Sequence, residues 1–158
     1  MIKKIEFQDN RLIKELFELQ RAAYLIEAEI INYYEIPPLK ESFEELLESN
    51  EVFLGYFEGD ELAGALSYEI KGNELKICRM IVHPEHFRKG VAQSLLSYLE
   101  EDKNEITIFK VSTGRENTPA KSLYVKNGFK LIQDIEVVPG LFISNFEKKM
   151  QNKILVCD

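Results

Sequence analysis

The spacing of apolar residues along this chain shifts between alternation and helical period, and the shifts mark out its elements. Ile2, Ile5 and Phe7 predict a short first strand. Asp9 or Asn10 then caps a helix, on which Leu12, Leu16, Leu19, Ala23, Ile26 and Ile30 recur at spacings of four and three. That stripe predicts one buried face, running until Pro37 and Pro38 forbid continuation. Ser42 to Glu45 is an S-x-x-E capping box opening a second helix, with Phe43, Leu46 and Leu47 toward the core and an end near Asn50. Strand-like runs follow at 52–58, 61–70 and 74–82, separated by Gly59-Asp60 and Gly72-Asn73. Connections this short make an antiparallel meander.

From Ile77 to Leu99 an apolar run stops at Pro84, passes through a basic loop and restarts as a helix with Val91, Leu95, Leu96 and Leu99 in register. The next run, ITIFKV at 106–111, lies one crossover from the strand at 74–82, so these two should be parallel neighbours. In NTPAKSLYVKNGF, Thr118 caps a helix with Pro119 at its first position, and Gly128 ends it in a left-handed cap before Phe129. FKLIQDIEVV, Pro139-Gly140 and LFISNFEKKM predict a final hairpin, which could pair with a second copy, and 151–158 is a polar tail. The sum is an α/β (α+β) domain spanning 1–158: a mixed, mostly antiparallel seven-stranded sheet with a central parallel pair, flanked by about four helices.

Composition narrows the function classes. At 158 residues and 45% hydrophobic content the chain can bury a real core. It has no apolar run near eighteen residues, and MIKKIEFQDNR is too polar for a signal peptide, so the expectation is a cytoplasmic protein without membrane attachment. Cys78 and Cys157 form no motif and read as reduced thiols. His83 and His86 have only Glu85 beside them, which argues against a metal site. The net charge of −7 argues against nucleic acid. Fourteen acidic and six basic side chains fall in residues 1–60, a balance of −8, so the remainder is close to neutral. An acidic N-terminal half would draw a cationic or amine substrate; solvated helix faces account for the same charges.

Three places carry candidate chemistry. Gly90 stands where a helix begins, with Arg88 and Lys89 beside it. Unpaired N–H groups, a positive dipole end and no side chain in the way suit a pyrophosphate, and a plain structural turn needs the same glycine. Neither GxxxxGK(S/T) nor GxGxxG is present. Tyr24, Tyr33 and Tyr34, with Glu27 and Glu35, gather aromatic and acidic groups that can hold an ammonium ion or simply pack with their hydroxyls at the surface. Asn117 and Tyr124 are seven residues apart, two turns or about 10 Å, with small Ala120 between them.

Two of these stretches resemble the GNAT superfamily of N-acetyltransferases. VHPEHFRKGVA is similar to its acetyl-CoA loop, Q/R-x-x-G-x-G/A after a strand ending in V-x-P, at Val82, Pro84, Gly90 and Ala92. It departs at Phe87, where Gln or Arg is usual, and at Arg88, where glycine is common. Asn117, Ala120, Leu123, Tyr124, Lys126, Gly128 and Phe129 match the family's N-x-x-A/S-x-x-L/F/M-Y-x-K/R-x-G-F. The motifs stand in the family's order, about thirty residues apart, and the predicted elements follow its pattern over essentially the whole chain.

The resemblance implies acetyl-CoA as co-substrate, with no metal, and transfer directly to an amine of a small molecule. Backbone groups of Met80, Ile81 and Val82 would bond the pantetheine arm like an added strand, and Asn117 would join them. Amides of Phe87, Arg88, Lys89, Gly90, Val91 and Ala92 would hold the pyrophosphate. An amine must shed a proton, attack the thioester carbonyl and release a thiolate; a backbone N–H near Val82 would stabilise the oxygen's charge, and Tyr124, a phenol of pKa about 10, would protonate the sulfur. Glu69 and Glu74, flanking the turn into the central strand, are candidate general bases, as are His83, Tyr68 or a water chain to a carboxylate. Tyr24, Glu27, Tyr33 and Tyr34 are the candidate substrate residues. A protein N-terminus or lysine as acceptor, or a non-catalytic acyl-CoA-binding module, are the rival readings. The protein is expected to be a monomer or a homodimer.

Overall fold

The computed structural model describes residues 1–150; the expected polar tail at 151–158, with Cys157, lies outside the described residues. The strands are β1 (Ile2–Lys4), β2 (Val52–Glu58), β3 (Glu61–Lys71), β4 (Glu74–Val82), β5 (Ile108–Gly114), β6 (Lys130–Val138) and β7 (Leu141–Lys149). The α-helices are α1 (Asn10–Ile31), α2 (Pro37–Lys40), α3 (Phe43–Glu48), α4 (Val91–Asp102) and α5 (Thr118–Lys126). The strands form one sheet in the order β1-β2-β3-β4-β5-β7-β6, with β4 and β5 parallel and every other neighbouring pair antiparallel. The meander, the central parallel pair and the closing hairpin are as the hydrophobic pattern predicts.

Helices cover both faces of the middle of the sheet. One layer packs α1 and α3 on Phe53, Phe57, Leu62, Ala65 and Ile81. The other packs α4 and α5 on Leu66, Leu75, Ile77, Phe109, Val111 and Phe146. β3 is buried without a break from Leu62 to Tyr68, so it shows no alternation. Gly64 lies under the start of α4, where an added Cβ would stand 2.6 Å from Val91 Cγ1 and 2.9 Å from the Ile81 carbonyl oxygen. Only glycine lets α4 seat this closely. At the far edge β6 is exposed throughout, including Leu131, Ile132 and Ile135.

Several local expectations need correction. α1 stops at Ile31, before the prolines, because Asn32 adopts a left-handed conformation (φ 55°) and turns its N–H back to the Ala28 and Glu29 carbonyls. Pro37 and Pro38 instead open the short α2, a fifth helix. The buried face of α1 is Ile13, Leu16, Leu19, Gln20, Tyr24 and Ala28, whereas Ile30 is exposed, because two polar side chains take inward positions. Leu47 likewise points outward from α3, leaving Leu46 in the core. β5 runs on to Gly114 through its ladder with β7, and α5 is capped by Asn117 rather than Thr118. Among the described residues no helix is long and apolar enough to cross a membrane.

Candidate active site

β4 and β5 pair only from Glu74↔Ile108 to Ile77↔Val111. At that point β4 carries a bulge: Tyr68 of β3 faces Ile77, and the next pair is Ser67↔Arg79, which leaves Cys78 as the extra residue. Beyond it β4 stays with β3 while β5 stays with β7, so the two parallel strands diverge. The N–H of His83 donates to the Ala63 carbonyl of β3. Strand alternation therefore turns the N–H groups of Val82 and Met80 to the open side. An extended amide-bearing arm can add there as a strand does.

A strand-to-helix loop lies at the end of this cleft. The backbone N–H groups from Arg88 to Gln93 have no acceptor among the described residues. Gly90 adopts φ 79° as the residue before α4, and no atom lies within 4 Å in front of it. A fan of free N–H groups at a helix start, with Arg88 and Lys89 beside it, fits a pyrophosphate. Arg88 also has a positive φ, 64°, a conformation in which glycine is unstrained and arginine is not. Phe87 is 42% exposed at the rim.

Side chains build the other end. Asn117 Nδ2 donates to Glu27 Oε1 at 3.0 Å and to Thr113 Oγ1 at 3.2 Å, while its Oδ1 accepts the Ala120 N–H at 3.3 Å. Both donors of the Asn117 side chain thus engage protein groups rather than the cleft. Thr113 also donates to Glu27 Oε1, at 3.4 Å. One turn past Glu27, Ile31 packs on Gly114, where an added Cβ would come within 2.9 Å of it. The last turns of α1 therefore close over the diverging end of β5. Burial raises the Glu27 carboxyl above the ordinary value, against the lowering effect of hydrogen bonds from Asn117 and Thr113.

Tyr124 is buried on α5 against Phe129 and Phe146, at centroid separations of 5.7 and 6.0 Å. Burial, and then the nearby Glu27, push its hydroxyl well above the usual phenol range. Tyr24 is displaced in the same direction by burial and Glu27, with a smaller contribution from Tyr124. Both phenols are thus held protonated, and the value of about 10 expected for Tyr124 does not hold because a dry pocket disfavours the phenolate.

The structure thus brings Tyr24, Glu27, Asn117 and Tyr124 together at the divergence. Tyr33 lies past the end of α1, partly buried against the α1 layer, and Tyr34 is exposed. Glu69 and Glu74 are set apart from this cluster. Glu74 pairs with Lys110 at 3.2 Å at the start of the parallel ladder, and Glu69 lines a cavity of about 760 Å³ with Lys4, Tyr98 and Lys103 at that same far end of the sheet. Glu69, on β3 opposite Lys76, and Glu74 both lie at the end of the sheet where β4 is still paired with β5, and the open end is on the other side of the bulge.

Sequence reasoning missed Arg79. Its guanidinium bonds Glu41 at 2.7 and 2.9 Å, Glu51 at 2.8 and 3.0 Å, and Gln20 Oε1 at 2.6 Å. This network ties α1, the α2–α3 turn and β2 to β4, and forms one wall of an open cleft of about 530 Å³ that also touches Cys78 and Glu35. Burial opposes ionisation of Glu41, but Arg79 and Gln20 outweigh it and hold the carboxyl below its ordinary value. Arginine inside the apolar run ICRMIV was the available signal, since a charge in a central strand requires partners. Cys78 is half-buried, and burial with the charges of Glu51 and Glu69 pushes its thiol up to about 11.

Comparison with known proteins agrees with this architecture. Over 154 residues, 98% of its length, the chain is 34% identical to the UPF0157 protein YqkA of Bacillus subtilis (strain 168), of which it covers 45%. Over 82 residues, 51% of its length, it is 32% identical to a spermidine N(1)-acetyltransferase of Thermoplasma acidophilum, of which it covers 51%. The chain spans about half the length of the curated relatives it matches. Its fold superposes on the PaiA N-acetyltransferase of Thermoplasma acidophilum in complex with coenzyme A with a TM-score of 0.77, at 25% identity, covering 95% of this chain and 98% of that one. Residues 13–129, reaching from α1 through α4 and α5 to Phe129, match the family model described as Acetyltransferase (GNAT) family, and the chain belongs to that family.

Proposed function

We propose that this chain is a cytoplasmic, acetyl-CoA-dependent N-acetyltransferase that moves the acetyl group directly to an amine of a small molecule. The observation that carries the reading is the divergence of β4 and β5, with unpartnered backbone donors along one wall and Tyr124 at the other. Met80 and Val82 would hold the pantetheine arm by their open backbone groups, and the loop from Phe87 to Ala92 the pyrophosphate. The bound thioester supplies an activated acetyl group and a thiolate leaving group. Tyr124 would give that sulfur a proton. Burial and the nearby Glu27 keep its hydroxyl protonated, so the proton is in place when the sulfur leaves.

The state of Cys78 supports transfer without an enzyme-bound acetyl group. It is the thiol at the bulge, and at a pKa of about 11 it is scarcely ionised near neutrality. A cationic acceptor is favoured by the −8 balance of residues 1–60. The spermidine acetyltransferase relative supports the same class.

Thermal unfolding with acetyl-CoA, NAD or ATP, followed by free-thiol release with a panel of polyamines, amino sugars and basic amino-acid derivatives, tests the proposal. A ligand at one hundred times its Kd adds about 2.7 kcal/mol, which is a rise of roughly 5 to 10 °C for a domain of this size. Stabilisation by acetyl-CoA alone, with thiol release that needs an amine, is expected. Stabilisation without thiol release from any amine would leave an acyl-CoA-binding module.

A further inference from the structure

We infer that Glu27 is the proton acceptor that readies the amine: a carboxylate held by Thr113 and Asn117 at the open end of the divergence, beside Tyr124. The inference rests on the acetyltransferase reading above and names the group that reading leaves open.

The position is set by three elements. Thr113 lies two residues beyond the last β4–β5 pair, Asn117 caps α5, and Glu27 sits on the stretch of α1 that closes over both. Among the described residues no other carboxylate bonds both β5 and the α5 cap. Glu27 Oε1 takes both hydrogen bonds, so Oε2 is left without a protein partner among those residues. Glu27 is half-buried, so the residue is not sealed inside the core.

The competing acceptors are engaged or distant. Glu41 and Glu51 are bound to Arg79. Glu74 pairs with Lys110, and Glu69 lines the far cavity. His83 Nδ1 accepts the Glu85 N–H. The groups facing Glu27 are Tyr24 from its own helix, Tyr124 from α5 and the neutral Thr113 and Asn117; no lysine or arginine pairs with it among the described residues. A carboxylate without a cation, in a partly dry site, binds a proton more readily than one in water, which suits a base working near neutrality.

The protons balance. An ammonium gives one proton to Glu27, and the freed nitrogen lone pair forms a C–N bond to the thioester carbonyl carbon. The C–S bond breaks, and Tyr124 protonates the departing sulfur. The second proton of the nitrogen restores the Tyr124 hydroxyl, and Glu27 returns its proton to solvent. One proton is released for each acetyl group moved.

Glu27→Gln keeps the size and the acceptor oxygen that Thr113 and Asn117 use. Assayed with the best cationic amine of the panel and with methoxyamine, which is unprotonated at neutral pH, the variant separates roles. With the cationic amine kcat/KM should fall about 100-fold and the acid limb of its pH profile should vanish, with the KM for acetyl-CoA unchanged. With methoxyamine the deficit should shrink to a few-fold. An undiminished rate with the cationic amine, or an equal loss with both acceptors, overturns the assignment. If Glu27→Gln does not fold, Glu27→Asp should retain the acid limb at a lower kcat, and its disappearance there also overturns it. Wild-type protein that binds acetyl-CoA yet acetylates neither acceptor defeats the acetyltransferase reading itself, a result distinct from any behaviour of the variants.

Discussion

The two ends of the β4–β5 divergence are built from different material. At the α4 end the contacts offered are backbone N–H groups, positioned by Gly64 under the helix and Gly90 at its start. At the α5 end they are side chains: Glu27, Thr113, Asn117, Tyr124 and, across β4, the Arg79 network. A backbone site tolerates changes of side chain and fails when the backbone moves. A side-chain site tolerates small backbone shifts and fails when one residue changes. On the proposed reading, the departures from the family pattern at Phe87 and Arg88 fall at the end that can absorb them.

The largest effect should come from breaking the side-chain end. Arg79→Ala leaves the half-buried Glu41 and Glu51 without a counter-charge, and chemical denaturation should show a loss of about 2–3 kcal/mol, below the cost of stranding a fully buried charge. The pH dependence has a definite sign. Because the folded carboxyl of Glu41 lies below its ordinary value of 4.5, its contribution is present above that value and disappears as pH falls through the lowered one. Acid titration of stability should therefore be steeper in the wild type than in the variant.

At the backbone end, Gly64→Ala places a Cβ against Val91 and the Ile81 carbonyl. Overpacking of this kind costs about 1–3 kcal/mol, and the shift of α4 should also weaken acetyl-CoA binding, read by titration calorimetry. Arg88→Gly acts in the opposite direction. Relief of the positive φ should stabilise the protein by about 1 kcal/mol, with acetyl-CoA affinity changed by less than about fivefold, because an exposed charge contributes little. Cys78→Ala should leave turnover within about twofold, since a thiol held protonated has no covalent part to play.

These differences also explain what could be read from the chain. The meander, the parallel pair, the strand-to-helix loop before α4 and the α5 helix depend on glycines, prolines and apolar spacing, which are local signals. α1 was harder. Its buried positions include Gln20, which serves Arg79, and Tyr24, which faces Glu27 and Tyr124, so the apolar stripe found Leu16 and Leu19, missed those two and took in the exposed Ile30. The partners of Arg79 and Glu27 lie 38 and 90 residues away, at Glu41 and Asn117, and no spacing rule connects them. Glu69 and Glu74 seemed near the chemistry because they flank the central strand, but a strand of nine residues separates its ends by about 30 Å.

The division of labour is tested most directly by Tyr124→Phe, with acetyl-CoA affinity and amine-dependent thiol release measured on the same preparation. The phenyl ring keeps its packing against Phe129 and Phe146, so affinity should stay within about threefold while turnover drops about 100-fold. Turnover equal to that of the wild type, or affinity and turnover falling together, would contradict a cofactor held by backbone and a reaction carried by side chains.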